Sequence, residues 1–400
     1  MTLQRALADL YARVPRGMRL DLGPMRDACA RLGHPERAFE VVHVAGTNGK
    51  GSVCAMVESV LRADGRKTGL YTSPHLCRFA ERIRIAGAPL DDASLADLLE
   101  EALAAAPDLS FFETATLAAF IAFREAKVDC AAIEVGIGGR LDATNVVPPP
   151  RACAITRIAL DHTDRLGPTL RDIAREKAGI AKPGAEIFLG PIHGDPLEAI
   201  RAEARERGAT VRHAEARSLT VGLLGAHQAE NASVASALAS AVGANWSAIE
   251  QGIRRAEWPG RLERIEHSDG PYLLDAAHNP DGASALARAL SAEGRPACLV
   301  FGTLTDKSWP EMLDALAPLA AARVYVAPPV LPGVPRAATD PSIFATRHPG
   351  ETASSVREGL ARARELAGSK GLIVVSGSIF LVGEARAHLL GLPRDPPVAL

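Results

Sequence analysis

The stretch Val41-Val42-His43-Val44-Ala45-Gly46-Thr47-Asn48-Gly49-Lys50-Gly51-Ser52-Val53 reads as a strand that runs into a glycine-rich turn and then into a helix. Its first five residues form a short, β-branched apolar run, which is the mark of a buried strand. Beyond the turn, Val53, Met56, Val57, Val60 and Leu61 recur at the spacing of one helix face, and Gly65 suits a helix stop. A phosphate loop needs this context. Glycines let backbone N–H groups close on phosphate oxygens, and the helix N-terminus adds the positive end of its dipole. Thr47, Asn48, Gly49, Lys50, Gly51 and Ser52 are therefore candidate nucleotide contacts, with Lys50 reaching the terminal phosphates and Ser52 near a nucleotide-bound metal. The stretch departs from GxxxxGK[ST]: Val44 stands where the first glycine would be, and Gly51 separates Lys50 from Ser52. The plainer alternative is a glycine turn that packs a helix on a strand.

Outward from this unit the pattern repeats. Strands are expected at Cys130–Val135, Ala152–Ile158, Glu186–Leu189, Tyr272–Asp275, Ala297–Phe301, Arg323–Val326 and Leu372–Ser376. Helices are expected at Thr114–Ala126, Thr169–Ala178, Pro196–Arg207, Gln228–Val242, Gly282–Ala292, Trp309–Ala321 and Ala353–Ala367. Alternating β and α implies parallel sheets covered by helices, so the fold class is α/β. Trp258-Pro259-Gly260-Arg261 punctuates the chain, which predicts a first domain over 1–260 with a mostly parallel sheet and a smaller Rossmann-like second domain over 261–400. The Pro-rich segment 328–351 reads as a loop with one short element.

Composition narrows the class. With 400 residues, 47% hydrophobic and 23% charged, the chain can bury a sizeable core. A formal net charge of −2 disfavours a nucleic-acid coat or a polybasic membrane binder, so an anionic ligand must be met by local groups. No apolar run approaches the ~18 residues of a membrane span, and the first residues carry scattered charge rather than a signal-peptide core. Cys29, Cys54, Cys77, Cys130, Cys153 and Cys298 contain no CxxC pair, so buried thiols in the cytoplasm are expected. Nothing suggests a coiled coil or a long apolar edge, and a monomer is expected.

Ligands in open α/β sheets collect beyond the carboxyl ends of the strands. Glu134 ends one expected strand, His162 follows another, and Lys177 lies in a helical stretch after it. Ser73, Glu134 and phosphate oxygens suit the hard cation Mg²⁺. By residue type alone, His162 is equally a capping or surface histidine, and Lys177 an exposed lysine paired with Glu176 or Glu125. In the second half, Asp275 ends a strand and can accept from a ribose or orient an arginine. Arg261 can grip phosphates in bidentate fashion, and Asn231 can meet an adenine edge. Asp275 and Asn279 also suit plain turn roles.

The run HVAGTNGKGSV resembles the phosphate loop of the Mur ligase superfamily and, within it, of the folylpolyglutamate synthase/dihydrofolate synthase family. The likeness continues in order through TSPHL (72–76), ERIRI (81–85), FFETATLAAF (111–120), EVGIGGRLDATN (134–145), DHTDRLGPTLRDIAREKAGIAKPG (161–184), GAHQAENA (225–232), WPGRLE (258–263), DAAHNPDGA (275–283), GTLTDKSW (302–309) and GSIFLVGEAR (377–386). The resemblance implies Mg²⁺ held by Ser73, Glu134 and His162, a carbamylated Lys177, catalytic roles for Lys50, Lys177 and His162, and ATP contacts from Asn231, Arg261, Asp275 and His278. It implies an ATP-dependent ligase that joins dihydropteroate or a folate to L-glutamate through an acyl phosphate. The cofactors would be ATP and two Mg²⁺ ions, with a monovalent cation as a further candidate. Pterin contacts are sought at Arg19, Leu20, Asp21 and Leu22, at Ser110, Phe111, Phe112 and Glu113, and at Leu141, Asp142 and Ala143. Phe111 or Phe112 would stack on the ring and Asp142 would pair with its N–H donors, although both phenylalanines also suit a core. These three segments resemble enzymes that catalyse both reactions, so a bifunctional enzyme is expected. A monofunctional folylpolyglutamate synthase is the alternative, and another Mur-type amino-acid ligase is disfavoured because Gly46 comes too early for a preceding sugar-nucleotide domain.

Overall fold

The computed structural model describes residues 1–17, 21–330 and 337–396, with the side chain of Glu293 left aside. Two α/β domains are built on two sheets. The first sheet holds β1 (Glu40–Ala45), β2 (Thr68–Tyr71), β3 (Ile83–Ile85), β4 (Ala88–Pro89), β5 (Cys130–Glu134), β6 (Ala152–Ile155), β7 (Glu186–Leu189) and β8 (Thr210–His213), in the order β4-β3-β2-β5-β1-β6-β7-β8. Its central strands are parallel, and β2-β3-β4 forms an antiparallel edge. The second sheet holds β9 (Glu263–His267), β10 (Gly270–Asp275), β11 (Cys298–Phe301), β12 (Ala322–Val326), β13 (Glu351–Ala353) and β14 (Ile373–Ser376), in the order β13-β12-β11-β14-β10-β9. Here only β9 runs antiparallel to its neighbour.

The strands expected from the sequence form: four are trimmed by one to three residues, Glu186–Leu189 is matched, and three begin one or two residues earlier. β6 ends at Ile155 because Thr156 turns away toward the glycine loop, where its hydroxyl donates to Asn48 O at 2.6 Å. The helix expected to run from Trp309 to Ala321 stops at Leu316. Pro318 lacks the N–H to continue it, and a 3₁₀ turn follows. The helix expected from Ala353 begins at Val356, capped by Ser355, and Glu351–Ala353 joins the sheet edge instead. Residues 68–71 (TGLY), 83–89 and 210–213 (TVRH) lack a long apolar run, which is why these strands escape a periodicity reading. All six cysteines are free. No helix among the described residues is long and apolar enough to cross a membrane.

The helix Lys50–Ala63 buries Val53, Met56, Val57, Val60 and Leu61 against β1, β2 and β5 and against the helices His227–Ala241 and Trp246–Arg255. That packing fixes the direction of its N-terminus. The register Val44↔Glu134 then sets Glu134 beside the entry to the glycine turn.

Candidate active site

The turn after β1 is held open by contacts that only glycine permits at two positions. Gly46 has φ +148°, and a Cβ there would fall 1.9 Å from Thr156 Oγ1. Gly49 has φ +89°, and a Cβ would sit 2.5 Å from Asn231 Oδ1. The Lys50 amine donates to Thr47 O at 3.2 Å and lies 3.8 Å from Glu134 Oε1. Ser52 is buried beside Gln228, whose amide lies 3.4 Å from its hydroxyl. Gly49→Ala is expected to cost about 1–2 kcal/mol of stability from backbone strain. It should also push Asn231 aside, and nucleotide affinity should fall by about tenfold or more, read by calorimetric titration. Unchanged affinity would remove the loop from the nucleotide site.

The loops after β1, β2, β5, β6, β10, β11 and β14 border one cavity of about 550 Å³ between the two sheets. On the first-domain side, Glu134 is 5% exposed and accepts the Ser73 N–H at 3.1 Å. Burial raises its pKa against the pull of Lys50. His162 lines the same cavity at the start of a short helical turn, in a left-handed conformation with φ 51°. Among the described residues no three His, Cys, Asp or Glu side chains make a ready metal cage. The donors present, one buried carboxylate and a serine with an imidazole at the wall, suit a hard cation that completes its shell with phosphate and water oxygens. The residues therefore fit magnesium brought with a nucleotide.

Lys177 also lines the cavity and is 5% exposed. The pairing with Glu176 or Glu125 does not form: Glu176 lies 3.2 Å from Arg140, and Glu125 lies 3.8 Å from Arg124. Burial, followed by the nearby Lys50 charge, draws the Lys177 amine down to about 7. Much of it is a neutral amine at physiological pH, which is the form that adds CO₂.

The second domain meets the glycine loop directly. Asn48 donates to Asn279 Oδ1 at 3.1 Å and to Asp281 Oδ2 at 2.7 Å, and Asn279 returns a bond to Asn48 Oδ1 at 3.0 Å. Asn279 also caps the helix Pro280–Glu293 and donates to Asp161 Oδ2 at 3.2 Å. Lys307 donates to Asp161 Oδ1 at 3.1 Å. Burial alone would raise the Asp161 pKa, but Lys307, His162 and His278 outweigh it and hold the carboxyl well below its usual range. His278 Nδ1 donates to Ala276 O at 3.0 Å, and burial together with Lys307 lowers its pKa to about 4.

Asn231, Arg261 and Asp275 all border the cavity. Asn231 donates to Gln228 Oε1 at 2.9 Å. Both Asp275 oxygens are taken by backbone N–H groups, from Leu262 at 2.9 Å and Ala277 at 3.0 Å, so the turn role is realised.

The three segments expected to contact a pterin divide. Phe111, Phe112 and Leu141 line the cavity. Phe111 stacks on Tyr11 with 5.2 Å between ring centroids, and the Arg82 guanidinium lies 5.3 Å from the Phe111 centroid. Ser110 and Glu113 border the cavity, but their side chains are bound to each other and to backbone as the capping box of the helix Phe111–Glu125. That box is why the helix begins at Phe111 rather than Thr114. Asp142 accepts from Ile137 N at 3.0 Å and Thr144 N at 3.0 Å, and Ala143 is buried next to it. In the first segment, Asp21 accepts from Gly23 N at 2.8 Å and Leu22 is buried, and neither lines the cavity described above. Arg19 and Leu20 lie outside the described residues.

Residues 44–212 match the family model of the Mur ligase middle domain, and residues 260–379 match that of the Mur ligase glutamate ligase domain. The chain is 36% identical to a dihydrofolate synthase/folylpolyglutamate synthase of Escherichia coli, covering 93% of this chain and 91% of that one. The chain belongs to the folylpolyglutamate synthase/dihydrofolate synthase family. A solved bifunctional folylpolyglutamate synthase/dihydrofolate synthase with Mn, AMPPNP and L-glutamate bound superposes with a TM-score of 0.86 at 31% identity, covering 98% of each chain. A probable bifunctional folylpolyglutamate synthase/dihydropteroate synthase of Haloferax volcanii is 35% identical over 90% of this chain, which spans 47% of that protein.

Several residues at the cavity wall carry no role that their sequence context alone suggests. Arg82, Asp161, Asp281 and Lys307 are among them. Each lies in or beside a block that resembles the family. Their partners are on distant strands, and no spacing rule joins Asp161 to Lys307.

Proposed function

We propose that the chain is an ATP-dependent ligase that forms an amide between L-glutamate and the carboxylate of dihydropteroate or of a folate. The observation that carries this reading is the meeting, in one cavity between two domains, of a glycine loop with Lys50, the buried Glu134 and the buried, weakly basic Lys177. A carboxylate acylates amines poorly because oxide is a poor leaving group. Transfer of the γ-phosphoryl group from ATP to the substrate carboxylate gives an acyl phosphate and ADP. Attack by the glutamate amine on the acyl carbon then forms the amide and releases phosphate. Phosphoryl transfer is catalysed chiefly by positioning and charge. Lys50 and the loop N–H groups supply both to the phosphates.

The residues that would hold Mg²⁺ are Ser73, Glu134 and His162, and the bound ion would add positive charge beside the phosphates. Lys177, once carbamylated, presents a carboxylate to the same region. Residues 1–260 would carry ATP and pterin, and residues 261–400 the glutamate and further nucleotide contacts from Arg261, Asp275 and His278. Arg82, Phe111, Phe112 and Leu141 form the wall that suits a flat, polar-edged ring.

Assays with ATP, Mg²⁺ and L-glutamate, run with dihydropteroate and with tetrahydrofolate side by side, test the proposal. ADP release that requires glutamate is expected with both acceptors. Turnover of tetrahydrofolate alone would reduce the activity to folylpolyglutamate synthase. ADP release independent of glutamate would overturn the ligase reading.

A further inference from the structure

His75 stands in the TSPHL block, and nothing in the ligase reading gives it a role. Its imidazole is buried, and Nδ1 accepts from Arg82 Nε at 2.9 Å. A protonated imidazole has no lone pair to accept with, so this ring is neutral and carries its proton on Nε2. Arg82 is 4% exposed and lines the large cavity. Its guanidinium lies 5.4 Å from the centroid of Phe79 and 5.3 Å from that of Phe111, two rings that meet edge to face. The Arg82 carbonyl accepts from Thr72 N at 3.0 Å, one residue before Ser73, whose N–H goes to Glu134. The side chain therefore starts at the Glu134 end of the cavity and reaches the aromatic wall.

The kind of acceptor matters. Arg386 is held by the Glu263 carboxylate at 2.9 Å, and Arg140 by that of Glu203 at 2.9 Å. The buried Arg13 gives its terminal nitrogens to Ala106 O, Leu103 O and Thr114 Oγ1. Arg82 is held through Nε alone. Among the described residues no carboxylate lies within ion-pair distance of it, and no protein acceptor takes its terminal nitrogens. A carboxylate at the place of His75 would fix the guanidinium and neutralise it. A neutral nitrogen fixes it and leaves the charge free. A buried guanidinium with free charge and open donors is costly until an anionic oxygen arrives. With ring faces beside it and two N–H pairs open to the cavity, it suits a flat aromatic body that ends in a carboxylate, which is the form of a pteroyl acceptor.

We propose that His75 is a positioning residue: as a neutral acceptor it aims the Arg82 guanidinium into the cavity with its charge free for the carboxylate of the acceptor. The proposal rests on the ligase reading and names a group that prepares that site without touching the substrate.

Three substitutions test it, with pteroate and its uncharged carboxamide as probes in calorimetric titration. His75→Asn keeps a neutral acceptor near the position of Nδ1, and its pteroate Kd should stay within about threefold of the unaltered protein. His75→Asp has the same shape but pairs with the guanidinium, and its pteroate Kd should rise about tenfold, the scale of one lost charge-assisted bond. His75→Leu, which removes the acceptor, should weaken pteroate by a similar factor. The carboxamide Kd should change less than about twofold in every variant, since that probe brings no charge. In an Arg82→Gln background, His75→Asp should add less than about twofold, because the partner it acts through is gone. Equal weakening of pteroate and carboxamide would make His75 a packing residue and overturn the proposal. So would a His75→Asp as tight as His75→Asn, or a loss that persists in Arg82→Gln. If the unaltered protein binds pteroate with this pattern and forms no amide, the ligase reading fails and the positioning role stands. If it does not bind pteroate, the positioning role falls.

Discussion

Lys177→Ala is expected to lower the rate of ligation by about 10²–10³-fold, the range seen when one preorganised group is removed from a reacting charge, while ATP affinity changes by less than about threefold. Lys177 is sealed from solvent, faces the cavity and has no acidic partner at ion-pair distance among the described residues. A structural lysine so placed would be an uncompensated buried cation beside Lys50. The fold resolves this by drawing the amine down to about 7. The sign follows directly. Above pH 7 the neutral amine predominates, and addition of CO₂ to it would release a proton and leave a carbamate anion. Below pH 7 the ammonium predominates and uptake falls. Activity in CO₂-free buffer should therefore drop, recover with bicarbonate, and recover more fully at pH 8 than at pH 6. Intact-mass and peptide spectra read the modification, and a steady-state assay reads the rate. Turnover by Lys177→Ala equal to that of the unaltered protein would end the proposed role.

Glu134→Gln separates activity from stability. Glu134 is buried at the end of β5, and burial raises its pKa above the ordinary carboxylate value. A carboxyl raised on folding binds its proton more readily in the folded state. It therefore favours folding at acid pH and costs stability above its unfolded pKa of about 4.5. Removing the charge should leave the melting temperature at pH 7 in EDTA equal to or above that of the unaltered protein, with the difference vanishing toward pH 4. Catalysis should fall by about 10²-fold or more, and the Mg²⁺ concentration for half-maximal rate should rise about tenfold, because an amide oxygen holds a hard cation more weakly than a carboxylate does. A mutant that melts lower and keeps its rate would make Glu134 a structural residue.

Legibility followed the range of the interaction. β1, the glycine turn and the helix Lys50–Ala63 are encoded within some twenty residues, and apolar periodicity with glycine placement is enough to read them. The strands β5, β7, β10 and β14 are short apolar runs and were equally plain. By contrast, β2, β3, β4 and β8 are sheet members because neighbours accept them. A four-residue run such as TGLY carries no period of its own. The candidate site shows the same division. Lys50, Glu134, His162 and Lys177 fall in segments that resemble a family, and the structure brings all four to one cavity. Asp21 and Leu22 have residue types that suit a ligand contact, and the structure shows Asp21 in a local turn with Gly23 and Leu22 in the core.

The chain's own letters were sufficient for the α/β class, the phosphate loop and the family, because strand, turn and helix signals act over a few residues and motif blocks keep their order. Only the folded molecule decided that Asp161 joins Lys307 and Asn279 across the two domains, and that Lys177 is buried away from its neighbouring acids. Those outcomes depend on which strand ends converge in space, and on how burial shifts the balance between desolvation and charge pairing. Neither quantity exists until residues more than a hundred positions apart are in contact.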